Sequence, residues 1–593
     1  MNGTQTRATS SFARRGADYF GTSSVAEFVI AAVLFAVLSV FKIIYILHYR
    51  FDSDEPQHLH VIWAWTHGLV QYRDVFDNHM PLFHVLFAPI FLLVDERATA
   101  LVWMRFILLP MYFVAAWCTY QIGTRLFSRR AGIWAVVLTG CYASYYFTSL
   151  EFRTDNLWAP FWLLSVTVLL QGRISVRRGL VAGLLLGFCF GISMKSTLLL
   201  FSLFLGACVA LLLTGRSKLG VSRPQIALST LVFLAAMSII PAVIMFFFAV
   251  NGIWPQLFHD VFEHNLFAPL QPKPHLGRWI AISLVALPLV IYVARKIVRA
   301  SRDPLIGFSR ALLVIFCAIY FLVLKGFWPL STRQDFLPYD PLAFVIGSAA
   351  LLAISDGVAR SKIPAHRLLR YVPIPIFIAA TELLLAFSIH PFWIDHTKPE
   401  THLLRDVLAL TKPDDYVFDC KGETVFRQRC FRPVLETITK KRIQLGMMVD
   451  DVPQRCIETH TCVAVTLLFE KISSGTRQFV ERNYLPVSDN LRVAGAILKP
   501  SVKDPLRFDF DVVIPASYKI ISRDGNVSGA LDGSEYNGAR FLAAGPHTFD
   551  STSTAGPYIC LWAQAVDRNF TPFRLISRFK GNSFADRPYF ILN

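Results

Sequence analysis

The chain has 593 residues, of which 54% are apolar and only 17% are charged, with 50 phenylalanines and a mean hydropathy of +0.46. This composition excludes an ordinary soluble domain and is typical of a polytopic membrane protein. The net charge of +17 does not indicate a nucleic-acid partner, because Lys and Arg of membrane proteins concentrate in cytoplasmic loops.

Long apolar runs predict about eleven membrane-spanning helices, several of them close to the minimum length for a bilayer core of about 30 Å. The fold class would be a polytopic α-helical membrane protein, with its membrane domain over residues 24–390. The predicted spans are 24–47, 101–122, 132–149, 156–171, 180–194, 196–214, 226–250, 279–298, 309–326, 338–355 and 371–390.

Basic residues fall in every second gap between these runs, which is the positive-inside pattern. The pattern predicts a cytoplasmic N-terminal segment, residues 1–23, and places the long first gap, residues 49–100, on the extracytoplasmic face. It requires that the apolar run Pro81 to Val94 does not span, and 14 residues are too few to cross a bilayer. We therefore expect a multi-pass protein of the plasma membrane, such as the bacterial inner membrane.

After Phe392 the chain continues for about 200 residues without another apolar run of membrane length. This predicts a separate extracytoplasmic domain at the C-terminus. Residues 391–500 mix helical periodicity with short strand-like runs and predict an α/β subdomain. Residues 501–593 alternate apolar and polar residues between turn residues, which predicts a β-sandwich-like subdomain.

Four cysteines of this domain are candidates for disulfide bonds in an oxidising compartment. Spacings of 10 and 6 residues favour the pairs 420–430 and 456–462, although four cysteines allow three pairings. No Cys-x-x-Cys pair accompanies them, so a zinc site is less favoured. The candidates are Cys420, Cys430, Cys456 and Cys462.

Polar residues in the outward gaps predict a functional site at one membrane face. Asp54 and Glu55 follow the first span directly, where a charged pair without a function is costly. Asp155 lies in the next outward gap, and Lys195 and Arg333 lie in two others. Carboxylates and basic residues from separate loops suit a site that deprotonates a hydroxyl group and holds a phosphate leaving group.

In these motifs the chain resembles the GT-C superfamily of polyprenyl-phosphate-sugar glycosyltransferases, particularly the branch of protein O-mannosyltransferases and lipid A aminoarabinose transferases. The resemblance covers residues 24 to about 200 and resumes at 331–345. Its motifs, in the family order, are Asp54-Glu55, a proline segment near Pro81, Arg105, Asp155, Met194-Lys195 and the segment Arg333 to Pro341. Where the aminoarabinose branch has Glu-Lys-Pro, this chain reads Asn78-His79-Met80-Pro81, which argues against aminoarabinose and lipid A as its substrates.

The resemblance implies a GT-C-like fold and an inverting transfer from a polyprenyl-phosphate-linked sugar to a hydroxyl group of a glycan, lipid or protein acceptor. It implies that Asp54 takes the acceptor proton or orients the acceptor, with Glu55 and Asp155 as further catalytic carboxylates. Some members bind a divalent metal at such carboxylates and others need none, so Asp54 and Asp155 are the predicted ligands if a metal is required. The other implied roles are binding of the donor phosphate by Lys195, Arg333, Arg105 and Tyr339, and acceptor or loop contacts by His58, Asn78 and His79.

Other functions stay open from the sequence. A ligase could transfer whole lipid-linked oligosaccharides, and a non-enzymatic scaffold could bind polysaccharide through its outer domain. A secondary transporter would show two similar halves and short loops. Arg105 and Lys195 could also be helix-end residues that reach the membrane interface, and Asp155 could cap a helix.

Overall fold

The computed structural model describes residues 25–220, 222–266, 276–328, 331–359, 373–523, 525, 527–553 and 556–573. A helical membrane domain is followed by a C-terminal domain of strands and short helices. The predicted N-terminal segment, residues 1–23, and the basic gap at residues 360–370 lie outside the described residues.

The described part of the membrane domain is built from helices, interrupted by short 3-10 and π-helical turns. These helices are α1 (Val25–His48), α2 (Asp54–Thr66), α3 (Leu82–Val94), α4 (Ala100–Leu108), α5 (Pro110–Leu126), α6 (Arg129–Cys141), α7 (Ala143–Thr148), α8 (Asp155–Leu170), α9 (Val176–Ile192), α10 (Ser196–Thr214), α11 (Arg223–Val250), α12 (Trp254–Leu257), α13 (His264–Leu266), α14 (Leu276–Ala300), α15 (Pro304–Leu322), α16 (Asp340–Ala359) and α17 (Ile374–Ile389).

Seven helical stretches within the described ranges are long and apolar enough to cross a membrane. They are α1, α4 with α5, α10, α11, α14, α15 with its π-helical end, and α16. The other four predicted spans are also helical but shorter, since α6, α8, α9 and α17 have 13, 16, 17 and 16 residues. The predicted span 132–149 is broken at Tyr142, which is extended (φ −64°, ψ 109°). The polytopic helical fold is thus confirmed.

Close packing of α9 against α11 fixes the end of α9, from which the chain enters the predicted site. A Cβ atom added at Gly183 would lie 2.4 Å from the carbonyl oxygen of Phe233, and Gly179 and Gly187 approach the α11 backbone similarly. Small residues at four-residue spacing allow this approach, which is how helices associate in lipid. The segment that carries Lys195 follows directly after α9.

The first gap, residues 49–100, which the charge pattern predicts to face outward, folds into α2 and α3, and these helices pack against each other. Helix α3 has 13 residues and contains Pro89, so it is shorter than a membrane span, as the sequence predicted.

The C-terminal domain contains helices α18 (Lys398–Leu410), α19 (Thr437–Gln444), α20 (Val452–Glu458), α21 (Ser474–Asn483) and α22 (Ala563–Asp567). Its strands are β1 (Val417–Phe418), β2 (Val463–Val465), β3 (Tyr484–Ser488), β4 (Leu491–Ile497), β5 (Lys499–Pro500), β6 (Arg507–Val512), β7 (Ala516–Ser522), β8 (Gly529–Leu531), β9 (Ser534–Glu535), β10 (Arg540–Leu542), β11 (Gly545–Ser551) and β12 (Tyr558–Trp562). Seven strands form one sheet in the order β1-β2-β4-β12-β7-β10, with β3 paired to β4, and five form a second in the order β5-β6-β11-β8-β9. Only the pair β1–β2 is parallel among the described strand pairs.

The predicted boundary at residue 500 does not separate two subdomains. Strand β4, from the predicted α/β half, pairs with β12 from the predicted β-sandwich-like half, with Ala496 opposite Cys560. One hydrophobic core runs from Leu403 to Ala565 through both halves. Strand periodicity predicts that a segment is a strand but not which strand it pairs with, so the sequence alone did not reveal the shared sheet.

The fold also corrects the favoured disulfide pairs. The Sγ atoms of Cys430 and Cys456 lie 3.4 Å apart in the core of the C-terminal domain. The pairs 420–430 and 456–462 are therefore not the ones that the fold favours. The pair brought together is another of the three pairings, because chain spacing does not determine distance in the folded domain.

Candidate active site

A cavity of about 160 Å³ lies where the first outward gap, the segment before α8, the turn between α9 and α10 and the C-terminal domain meet. Most of the residues that line it have polar side chains, with charges of both signs, and a few are apolar. The lining residues are Asp54, Asn78, His79, Arg153, Ser193, Met194, Lys195, Asn265, Trp328, Thr332, Lys421, Glu436 and Ile438.

Arg153 is the central cation of this site, and it lies in the bend between α7 and α8. Its Nη1 atom lies 2.5 Å from Oδ2 of Asp54 and also contacts Asp52. Its Nε atom lies 3.5 Å from Oδ2 of Asp155. Arg153 is buried, so its guanidinium group holds the carboxylates of two outward gaps together.

Asp54 receives a second cation from the C-terminal domain, because the ammonium group of Lys421 contacts its Oδ1 atom. Burial alone would raise the pKa of Asp54, but Arg153 and Lys421 outweigh it and hold that pKa well below its usual range. The Asp54 side chain keeps 17% of its surface exposed, and it lines the cavity. It is therefore an ionised carboxylate that a ligand can reach.

Lys195 supplies a third cation at the start of α10. Its Nζ atom lies 2.7 Å from Oδ1 of Asp335 and 3.6 Å from Oδ1 of Asp155. Burial would lower the pKa of Lys195, but the two carboxylates outweigh it and raise that pKa. The side chain is 21% exposed and lines the cavity, so its charge faces a bound ligand.

Glu55 and Arg105 form a buried pair away from the cavity. Arg105 donates to both carboxylate oxygens of Glu55, at 2.5 and 2.7 Å, and to the backbone carbonyls of Tyr49 and Arg50. The Glu55 carboxylate also accepts from the backbone N–H of Phe152 at 2.8 Å. The structure thus corrects the predicted catalytic role of Glu55 and the predicted phosphate-binding role of Arg105, because their donors and acceptors are used in joining α1, α2 and α4.

Arg333 and Tyr339 are also not brought to the cavity. Arg333 is exposed, whereas its neighbour Thr332 lines the cavity. The next residue, Gln334, turns inward and donates to Glu151 at 2.8 Å. Tyr339 stacks its ring on that of Tyr320, with 5.8 Å between the centroids. The segment lies beside the site, and of these residues only Thr332 lines the cavity.

Asn78 and His79 do line the cavity, as the motif position suggested. Asn265 donates to the carbonyl oxygen of Asn78 at 2.8 Å. Nδ1 of His79 lies 2.9 Å from Oδ1 of the buried Asp77. His58 is fully buried behind them, where its Nδ1 atom lies 3.1 Å from Nε2 of His84.

The residues present do not fit a divalent metal at the predicted ligands. Asp54 contacts Arg153 and Lys421, and Asp155 lies near Arg153 and Lys195, so a metal would have to displace two cations at each carboxylate. A buried group of side chains, His58, Asp77 and His84, has nitrogen and oxygen atoms within 4.8 Å of one another. Asp77, however, is already hydrogen-bonded to Gln57, Gln71 and His79, at 2.8 to 3.3 Å, so both of its oxygens are engaged.

Three charged residues of the site were missed in the sequence. Arg153 stands two residues before Asp155 in the same outward gap, and this position was the available signal. Lys421 and Glu436 come from the C-terminal domain, where their nitrogen and oxygen atoms lie 3.7 Å apart. Nothing in the local sequence marks them, because only the docking of this domain brings them to the cavity.

A family model described as dolichyl-phosphate-mannose-protein mannosyltransferase matches residues 77–244. This region begins in the first outward gap and ends in α11. It includes His79, Arg153, Asp155 and Lys195 of the site. No curated protein sequence matches the chain.

The fold is similar to the crystal structure of ArnT from Cupriavidus metallidurans in the apo state, with a TM-score of 0.53 and 13% identity over 79% of this chain and 98% of that chain. ArnT from the same organism bound to undecaprenyl phosphate gives a TM-score of 0.47 and 11% identity, over 90% and 100% of the two chains. The archaeal oligosaccharyltransferase AglB from Archaeoglobus fulgidus, in complex with an inhibitory peptide and a dolichol-phosphate, gives 0.46 and 10%, over 88% and 75%. Residues 77–244 thus match the family model, and the fold is similar to that of ArnT in the apo state.

Proposed function

We propose that this protein transfers a sugar from a polyprenyl-phosphate donor to a hydroxyl group of an acceptor, with inversion at the anomeric carbon. The observation that carries the proposal is the meeting of three cationic side chains, Arg153, Lys195 and Lys421, around one cavity beside the membrane helices. The description of the matching family supports a lipid-linked sugar phosphate as the class of donor.

The three cations are suited to hold the donor phosphate. Each of them contacts carboxylates of the site, so their charges are already fixed in position. A phosphate presents several acceptor oxygens and would take over part of these charge-assisted hydrogen bonds. As the bond between the anomeric carbon and the phosphate oxygen breaks, negative charge grows on that oxygen, where the cations stabilise it.

Asp54 is the carboxylate that we assign to the acceptor hydroxyl group. It is more accessible than the other two predicted carboxylates, since its side chain is 17% exposed whereas those of Asp155 and Glu55 are 1% and 0% exposed. An ionised carboxylate accepts a hydrogen bond from the hydroxyl group and orients its oxygen. That oxygen then bonds to the anomeric carbon on the face opposite the phosphate, and polyprenyl phosphate leaves with the electron pair.

The test is a transfer assay with the full-length protein in proteoliposomes. Radiolabelled polyprenyl-phosphate mannose, glucose and aminoarabinose are supplied in turn with an envelope extract as the acceptor source. We expect release of polyprenyl phosphate from one of them, transfer of label to the acceptor, and an inverted anomeric linkage by NMR. If no donor is consumed by protein that still binds undecaprenyl phosphate, the scaffold function replaces this one. Transfer from a lipid-linked oligosaccharide alone would identify the ligase instead.

We also propose that the C-terminal domain and the cavity lie on the extracytoplasmic face of a bacterial inner membrane, with the N-terminus in the cytoplasm. The alternating basic gaps support this orientation. In that compartment the neighbouring thiols of Cys430 and Cys456 would be oxidised. Non-reducing peptide mapping of protein isolated without reductant is expected to find this bridge, with Cys420 and Cys462 as internal controls that stay reduced. Full alkylation of Cys430 and Cys456 would contradict the location.

A further inference from the structure

The proposed transfer requires that the acceptor hydroxyl group lose its proton, and Asp54 is a weak proton acceptor. Both of its oxygens are in contact with cations, Oδ2 with Arg153 and Oδ1 with Lys421. Their charges hold the pKa of Asp54 well below its usual range, against the opposing effect of burial. A carboxylate in this state orients a hydroxyl group well but binds its proton weakly.

A second group with the geometry of a general base lines the same cavity. Nδ1 of His79 lies 2.9 Å from Oδ1 of Asp77, which is fully buried and, as a carboxylate, accepts the Nδ1 hydrogen. In this tautomer Nε2 carries the lone pair. The side chain of His79 is 13% exposed and lines the cavity together with Asp54, Arg153 and Lys195.

Asp77 is held in place by neutral groups rather than by a salt bridge to a permanent cation. Gln71 donates to its Oδ2 atom at 2.8 Å and Gln57 to its Oδ1 atom at 3.3 Å. Nδ1 of His84 lies 3.3 Å from Oδ2, and no Lys or Arg nitrogen in the described ranges lies within 4.0 Å of the Asp77 carboxylate. A buried carboxylate without a cationic partner stabilises positive charge on the histidine next to it.

The histidines behind this pair are neutral, so they do not compete with His79 for the proton. Burial lowers the pKa of His58 well below its usual range and lowers that of His84 to about 4. The His58 ring lies against the His79 ring, with 4.7 Å between the centroids, and helps to fix its orientation.

We propose that Nε2 of His79 takes the proton of the acceptor hydroxyl group during transfer, and that Asp77 is the positioning residue that fixes its tautomer. This assignment rests on the proposed function and deepens it. The acceptor oxygen forms its bond to the anomeric carbon, the carbon–phosphate oxygen bond breaks, and the proton moves from the acceptor oxygen to Nε2. The imidazolium ion that forms is stabilised by Asp77 and later releases its proton to solvent through the cavity.

The proposal predicts a pH dependence. Only unprotonated Nε2 can take the proton, so turnover is expected to fall on the acid side of the pH profile, here called its acid limb. The titratable groups that face His79 from the elements around it are Asp77, His58, His84 and Asp155, and the cavity adds Asp54, Arg153, Lys195, Lys421 and Glu436.

The test compares His79→Asn with wild type in the transfer assay across pH 5 to 9. The Asn amide can still donate to Asp77 but offers no lone pair in place of Nε2. Turnover is expected to fall by about 10²-fold or more and to lose its acid limb, with binding of undecaprenyl phosphate unchanged. His67→Gln is the matched control, because His67 lies in the same outward gap with 46% of its side chain exposed and away from the cavity.

The outcomes distinguish His79 from Asp54 as the general base. If His79→Asn keeps turnover and its acid limb while Asp54→Asn loses that limb, Asp54 is the base and the proposal fails. A wild-type protein that transfers from no donor contradicts the proposed function instead. Should His79→Asn fail to fold, nitrogen NMR of selectively labelled wild type decides. We expect wild-type His79 to carry its hydrogen on Nδ1, and we expect Asp77→Asn to lose this preference. A hydrogen on Nε2 in the wild type would overturn the proposal.

Discussion

Asp54→Asn is expected to lower turnover with a polyprenyl-phosphate sugar by about 10²-fold or more. The substitution keeps the volume of the side chain and removes the charge that orients the acceptor hydroxyl group. It also removes a competitor of the donor phosphate, because Arg153 and Lys421 no longer have the Asp54 carboxylate to pair with. Binding of undecaprenyl phosphate should therefore be unchanged or tighter while turnover falls.

Asp95→Asn is the matched control for this variant. Asp95 belongs to the same outward gap and is exposed, and its Oδ1 accepts from the backbone N–H of Glu96, which an Asn Oδ1 can also do. It should turn over at the wild-type rate. If Asp54→Asn is folded, as judged by thermal unfolding, and transfers sugar nearly as well as wild type, Asp54 has no role at the reacting hydroxyl group.

Lys421→Ala and Lys195→Ala are each expected to weaken binding of undecaprenyl phosphate by about 10- to 100-fold. A hydrogen bond from a charged donor contributes about 1.5–3 kcal/mol, and 1.4 kcal/mol corresponds to a factor of ten. Both lysine side chains line the cavity. Equilibrium binding of the lipid to purified protein measures the loss directly, without an acceptor.

Arg333→Ala is the informative comparison for the two lysines. The sequence predicts the same loss for this variant, whereas the structure leaves Arg333 exposed and outside the cavity lining. We expect its affinity to stay within about twofold of wild type, since a surface charge contributes little. A large loss for Arg333→Ala, with small losses for the lysines, would place the phosphate at the outer edge of the site and contradict the arrangement proposed here.

Much of the membrane domain could be predicted from the sequence, because its signals are local. A run of apolar residues predicts a helix in lipid whatever its neighbours are, and all eleven predicted spans correspond to helices. Asp54, Asp155 and Lys195 were singled out for a related reason, since charged residues next to membrane helices are uncommon unless they have a role. The structure places Asp54 and Lys195 in the cavity lining and Asp155 within 3.6 Å of Lys195. Their positions in outward gaps were sufficient to group them.

The predictions that failed concern partners rather than residue types. Glu55 and Arg105 have the chemistry of site residues, but their charges neutralise each other between α1, α2 and α4. Cys430 was expected to pair with Cys420, its nearer neighbour in the chain, and the fold places it beside Cys456. The predicted subdomain boundary at residue 500 was wrong because β4 pairs with β12, which lies more than sixty residues further along the chain.

The sequence by itself determined that this is a polytopic membrane protein with a helical membrane domain, and it grouped several charges of the site in the gaps between spans, because hydropathy and charge act through the nearest stretch of chain. Only the tertiary structure decided which of those charges share a cavity. Lys421 reaches Asp54 from a domain that begins after the last membrane helix, and His79 gains its orientation from Asp77 within a buried network. Contacts of this kind require short distances and suitable directions between groups in the folded chain. The spacing of residues along the sequence does not give these distances, so it could not predict the contacts.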